Sequence, residues 1–216
     1  MCGMVSVKTR QRNARGAGGR LRVEIIEATI RLIDQGIDRL SLSAIAREAG
    51  IAQPSIYDHF PGIESIRTEV IRGCYGDLIE RISQAQRDVE DPVERVEVTC
   101  FAYVEYGAEF PHRYALLFRA KRDQEEKRAV GDRGAAALQT LVDSIAACKT
   151  AGRSTSVDPY DDGVAVWSAI HGLTTLRATR PHFAKLHSKA MLREIVHRLA
   201  CIGAPSSWSD PMARVP

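Results

Sequence analysis

A chain of 216 residues with 44 % apolar content is long enough to bury a core, which excludes a disordered segment and a disulfide-stapled miniprotein. Its 30 basic and 27 acidic residues leave a formal charge of +3, but Lys8, Arg10, Arg12, Arg15, Arg20 and Arg22 all precede the first acid, so 24 basic residues face 27 acidic ones in the remainder. A basic arm on a mildly acidic body points to a polyanion partner at one end.

The longest apolar runs, Cys100–Val104 and Tyr114–Phe118, have five residues each, far short of the roughly 18 that a spanning helix needs. No secretory signal stands out in the arginine- and glycine-rich first twenty residues. No membrane partner and a cytoplasmic location are therefore expected. Five scattered cysteines without a CxxC pair read as reduced thiols, and neither a metal nor a cofactor is expected.

Apolar residues recur at helical spacing from Leu21 onward and no stretch sustains a period of two, so the chain is expected to be all-α. The punctuation predicts helices over 20–35, ending at Gly36, over 42–49, capped by Ser41 and ending at Gly50, and from about 53 to before Pro61. Longer helices are predicted over 63–87, 92–109, 111–119, 125–149, 158–179 and 188–202. Pro92, Pro111 and Pro159 fall near helix starts, where a missing N–H costs nothing. The domains expected are a flexible basic arm (1–19), a three-helix head (20–66), a helical bundle (67–205) and a flexible tail (206–216).

The head carries the most informative stretch, SLSAIAREAGIAQPSIYDHF over 41–60. Ala46, Gly50 and Ile56 have the spacing of two short helices that cross steeply: a small residue at the crossing, a glycine in the turn, an apolar residue in the seam. Ile45, Ala49 and Ile51 join that seam, and Ile26, Thr29, Ile30, Ile33, Ile37 and Leu40 are expected to supply the third wall. With Ile56 and Phe60 inward, Gln53, Ser55, Tyr57 and His59 are left to solvent, all groups that hydrogen-bond base edges and phosphates, with the Pro54 ring placed to pack on a thymine methyl. A helix-turn-helix used only as scaffolding remains the alternative.

This segment resembles the DNA-binding domain of TetR-family transcriptional regulators: Tyr57, His59, Phe60, Pro61 and Glu64 follow that family's tyrosine-x-histidine-phenylalanine-proline pattern and the start of its fourth helix. The resemblance implies phosphate contacts from Ser41, Tyr57 and His59, and base or groove contacts from Ser43, Gln53, Pro54 and Ser55. Two departures, Ile63 where the family usually has lysine and Ser43 where it often has arginine, remove positive charge. Between residues 20 and 66, five arginines face seven acids, so the arm, including Arg20 and Arg22, is expected to add phosphate or minor-groove contacts.

In the larger half, Trp167, His171 and Gly172, with Pro111, Tyr114 and Phe118, resemble the C-terminal class of the same family named WHG. That implies ligand sensing and a homodimer. Tyr103, Tyr106, Phe110, Tyr114, Phe118, Trp167 and His171 are the candidate ligand-binding set, suited to an apolar or aromatic effector. Trp167 and His171 also fit a packed core pair, and Gly172 suggests close approach of another helix. Glu105, His112, Arg113 and Arg119 are the charges nearest that set. Wide apolar stripes on the last two helices suit a four-helix dimer interface and a palindromic operator. The function expected is a ligand-responsive DNA-binding regulator, a repressor released by a small molecule, with no catalytic residues. A metal or redox sensor on the same fold is the alternative. An enzyme built on His182, His187 and His197 lacks a recognised ligand spacing.

Overall fold

The computed structural model describes residues 18–37, 39–118, 124–180 and 188–203. The basic arm, apart from residues 18 and 19, the tail over 206–216, Arg119, His182 and His187 lie outside them. Every regular element among the described residues is a helix, accompanied by an isolated antiparallel bridge between Ser154 and Ile202. The chain divides between Val70 and Ile71 into two compact units.

The first unit holds α1 (Gly18–Asp34), α2 (Leu42–Ala49), α3 (Pro54–Tyr57) and the opening of α4 (Ile63–Gln86). The Ser41 hydroxyl accepts from the Ala44 N–H and so satisfies one of the orphan donors of α2. At the other end Gly50 takes φ 66°, and Ile51 N–H donates to Ala46 while Gly50 N–H donates to Arg47. This paired closure requires a left-handed residue and tucks Ile51 back toward the helix it follows. The chain is thereby turned into α3, which is shorter than the sequence suggests. It stops at Tyr57, and the Phe60 N–H still reaches the Ile56 carbonyl at 2.9 Å, carrying one turn on to Pro61.

Ile45, Ala46, Ile56 and Phe60 are buried with Ile25, Ala28, Thr29, Leu32 and Ile33 of α1. The wall of α1 is rotated from the expected one. Ile25 and Leu32 point inward, Ile26 and Ile30 are half-buried, and Ile37 is 37 % exposed. Adjacent residues on a helix lie about 100° apart, so of the neighbours Ile25 and Ile26 only one can face the seam squarely. Truncating a fully buried isoleucine such as Ile56 to alanine costs about 2–5 kcal/mol.

The second unit continues α4 and adds α5 (Pro92–Glu109), α6 (Pro111–Leu117), α7 (Gln124–Thr150), α8 (Pro159–Thr179) and α9 (Lys189–Leu199). Asp91, Asp158 and Ser188 cap α5, α8 and α9 through side-chain oxygens, and Pro92, Pro111 and Pro159 sit in first turns. Helix α5 is central, packed on α6, α7, α8 and α9. Its Gly107 is the point of closest approach: a Cβ there would overlap Thr174 Cγ2 of α8 and lie 3.1 Å from the Tyr114 ring of α6. The same test at Gly172 meets nothing within 4 Å, so the close approach expected at Gly172 occurs at Gly107. Among the described residues no helix is long and apolar enough to cross a membrane.

Candidate functional site

In the first unit the buried Ile56 fixes the rotation of α3 and thereby turns its polar face outward. Gln53, Pro54 and Tyr57 are exposed, Tyr57 by 56 %, and Ser55 and His59 are half-buried at the margin. Ser41 and Ser43 open α2 with their hydroxyls 3.1 Å apart. The structure therefore brings five of the expected DNA contacts onto α3 and the turn after it, and two onto the start of α2.

The two arginines of α1 behave differently. Arg20 is exposed and paired with Glu24 at 3.1 Å. Arg22 is drawn toward Glu69 at 3.3 Å, and its guanidinium lies 4.4 Å from the centre of the Phe60 ring. Its charge is engaged within the head. Arg31 is likewise paired, with Glu48 at 2.7 Å. Arg39 and Arg47 are exposed with no acid partner among the described residues. Arg47 is four residues after Ser43 and so shares its face of α2. That spacing was visible in the sequence, but which arginines are occupied by acids was not.

In the second unit five of the seven expected ligand-binding residues form one cluster. The Tyr103 ring stands edge-on to Trp167 at 4.8 Å and to Tyr114 at 5.7 Å, while Phe118 lies 4.3 Å from His171. Tyr103 and Tyr114 hydroxyls are 3.0 Å apart, and His171 Nδ1 lies 2.6 Å from the Tyr114 hydroxyl. Burial pushes the Tyr114 phenol up to about 12 and the Tyr103 phenol higher still, and lowers the His171 imidazole. All three groups are thus neutral near pH 7. A chain in which Tyr103 donates to Tyr114 and Tyr114 to Nδ1 satisfies each of them. Trp167, His171 and Phe118 are the half-buried members. Tyr106 and Phe110 lie apart as a second pair, 5.4 Å between centres, with Tyr106 donating to the Cys74 carbonyl and Arg81 and Arg113 over the Phe110 ring.

None of the seven lines the open cavity of about 460 Å³ between α5, α8 and the start of α9. Its wall includes Glu105, which sequence reading noted among nearby charges, and residues it did not single out: Phe101, Val104, Leu173, Arg177 and Lys189. Burial raises the Cys148 thiol to about 11 and the Cys100 thiol further, which disfavours the reactive thiolate. No group of three or more histidine, cysteine or carboxylate side chains among the described residues is placed to hold a metal.

A sealed three-helix head whose last short helix is polar and exposed is the architecture of a helix-turn-helix regulator. The family description "Bacterial regulatory proteins, tetR family" matches residues 25–70, and "Tetracyclin repressor-like, C-terminal domain" matches residues 96–199. The chain belongs to the TetR family of transcriptional regulators.

An uncharacterized HTH-type transcriptional regulator of Mycobacterium tuberculosis is 28 % identical over 183 residues, covering 83 % of this chain and 79 % of the relative. The regulator YobS of Bacillus subtilis is 25 % identical, over 71 % of this chain and 77 % of its own. Two solved structures share the fold. The transcriptional regulator FadR of Bacillus subtilis in complex with stearoyl-CoA has a TM-score of 0.69 at 18 % identity, over 82 % of this chain and 97 % of that one. A Saccharomonospora viridis protein solved in complex with choline has a TM-score of 0.73 at 18 % identity, over 83 % and 95 %.

Proposed function

We propose that the protein is a homodimeric, ligand-responsive DNA-binding regulator, a repressor that leaves a palindromic operator when a small molecule binds its second unit. The observation that carries this reading is the outward face of α3, where Gln53, Pro54 and Tyr57 are exposed on a helix anchored by the fully buried Ile56. Gln53 and Ser55 supply donors and acceptors for base edges, Tyr57, His59 and Ser41 reach phosphates, and the basic residues that precede α1 in sequence add charge outside the head. The protein would act in the cytoplasm, without catalysis.

Dimerisation is supported by α8. Tyr160, Val164, Ser168, Gly172 and Leu176 recur every fourth residue; all but the half-buried Gly172 are exposed, and space is open at Gly172. A helix of a second copy can approach closely along such a stripe. The effector is proposed to act through the cluster of Tyr103, Tyr114, Phe118, Trp167 and His171, with Tyr106 and Phe110 behind it. Helix α4, shared by both units, is the proposed route to the head. A coupling of about 1–3 kcal/mol between effector and operator would loosen DNA binding roughly 5- to 150-fold.

Selection of bound fragments from random duplex DNA tests the reading, because it reports binding and symmetry together. A near-palindromic consensus, lost in Gln53→Ala and Tyr57→Ala while the dimer persists, is the expected result. Full affinity in both variants overturns it.

A further inference from the structure

We infer that the cavity between α5, α8 and the start of α9 is a second ligand site, distinct from the aromatic cluster, that takes an amphiphile with an apolar chain and a single carboxylate. The inference rests on the reading of the second unit as ligand-sensing. The cavity measures about 460 Å³, within the range of sites for small molecules. Phe101, Val104 and Ala108 of α5, Leu173 of α8 and Leu192 of α9 give it an apolar wall. Such a wall accepts a hydrocarbon chain, whose methylenes gain by leaving water.

The charges at its rim decide the sign of the ligand. Glu105, Glu109, Arg177 and Lys189 all line it and cancel in sum, but they are not equally available. The Glu105 carboxylate is 3.3 Å from Lys189 Nζ, which also lies 5.6 Å from the centre of the Phe101 ring. Glu109 is 2.6 Å from Arg81, whose guanidinium holds that carboxyl below its ordinary range. Both acids are thus engaged. Arg177 has no acid partner among the described residues.

A cationic ligand would have to displace Lys189 from Glu105 or Arg81 from Glu109. A neutral apolar ligand would remove water from the Arg177 guanidinium and return nothing to it, which is unfavourable. A carboxylate meets the guanidinium fork directly and can accept two parallel N–H bonds. The arrangement therefore selects an anion at the rim and a chain within.

Calorimetric titration of the full chain with decanoate, 1-decanol and decylammonium, each below its aggregation threshold, tests the inference. Decanoate is expected to bind once per chain and more tightly than the other two. Arg177→Gln should weaken decanoate about tenfold or more without weakening decanol, and Leu173→Trp should block the cavity to all three. Arg177 is exposed, so its variant keeps the fold and carries the test if Leu173→Trp does not fold. Absence of decanoate binding, equal binding of decylammonium, or decanoate affinity unchanged by Arg177→Gln overturns the site. Operator release is scored separately. Arg177-dependent binding without release supports the site and counts against ligand response, whereas release by some other compound without decanoate binding does the reverse.

Discussion

The Tyr114 hydroxyl of α6 lies 2.6 Å from Nδ1 of His171 on α8, and the same hydroxyl lies 3.0 Å from that of Tyr103 on α5. Three helices are therefore joined by one chain of hydrogen bonds, which takes a neutral imidazole when the Tyr114 hydroxyl donates to Nδ1. Burial holds the His171 pKa below its ordinary 6.5. In the unfolded chain the imidazole takes up a proton near pH 6.5, while in the folded chain it does so only at lower pH. Its contribution to stability is present above that value and is lost as pH falls through the folded pKa. Urea unfolding measured between pH 8 and pH 5 should show the wild type losing stability on the acid side, with a shallower loss in His171→Gln. Parallel curves would place the pH dependence elsewhere.

Gly107 and Gly172 make opposite predictions although both are helical glycines. A Cβ at Gly107 overlaps Thr174 Cγ2, so Gly107→Ala should lower stability by about 1–3 kcal/mol, the usual cost of overpacking. A Cβ at Gly172 meets open space, so Gly172→Ala leaves the fold of one chain intact. It should instead weaken association, read by sedimentation across a dilution series. A dimer of unchanged affinity would remove the α8 stripe from the interface.

Helix boundaries were legible in the sequence because their determinants are local. Ser41 and Gly50 bracket α2 through bonds that span three to five residues, and Pro92, Pro111 and Pro159 mark starts whatever surrounds them. The outward face of α3 was legible for the same reason, once Ile56 and Phe60 were turned inward. The rotation of α1 was not, since Ile25, Ile26, Ile30, Leu32 and Ile33 offer two overlapping apolar stripes and only the packing of α2 and α3 selects one. The cavity was hidden further. Its wall is assembled from three helices, and the pairing that leaves Arg177 without an acid partner among the described residues depends on Lys189 and Arg81, neither a neighbour in sequence of the acid it meets.

Gly50 offers a test of the turn that aims α3. Space around it is open, but its φ of 66° is one that residues with a side chain reach at a cost. Gly50→Ala is expected to destabilise the head by about 1 kcal/mol, an effect of backbone conformation rather than collision. Thermal unfolding checks this against Gly73→Ala, a helical position with equally open space. A similar melting temperature in both variants would contradict it.

Arg47 tests how the head attracts DNA. Among the arginines of α1 and α2, Arg20, Arg22 and Arg31 are held by Glu24, Glu69 and Glu48, whereas Arg47 is exposed one turn after Ser43 with no acid partner among the described residues. Each phosphate contact contributes about 0.9 to the slope of log affinity against log salt. Arg47→Gln should therefore lower that slope by about 0.9 per head engaged, or about twice that for a dimer seated on both half-sites, and weaken all sequences alike. Arg22→Gln should leave the slope nearly unchanged and instead lower the melting temperature, because its partners are Glu69 and Phe60. Filter binding across a salt series, using the selected operator and a scrambled duplex, separates the two. A slope that falls in Arg22→Gln and holds in Arg47→Gln would show that the ion pairs of the free head open on DNA and that their arginines, not the unpaired one, meet the phosphates.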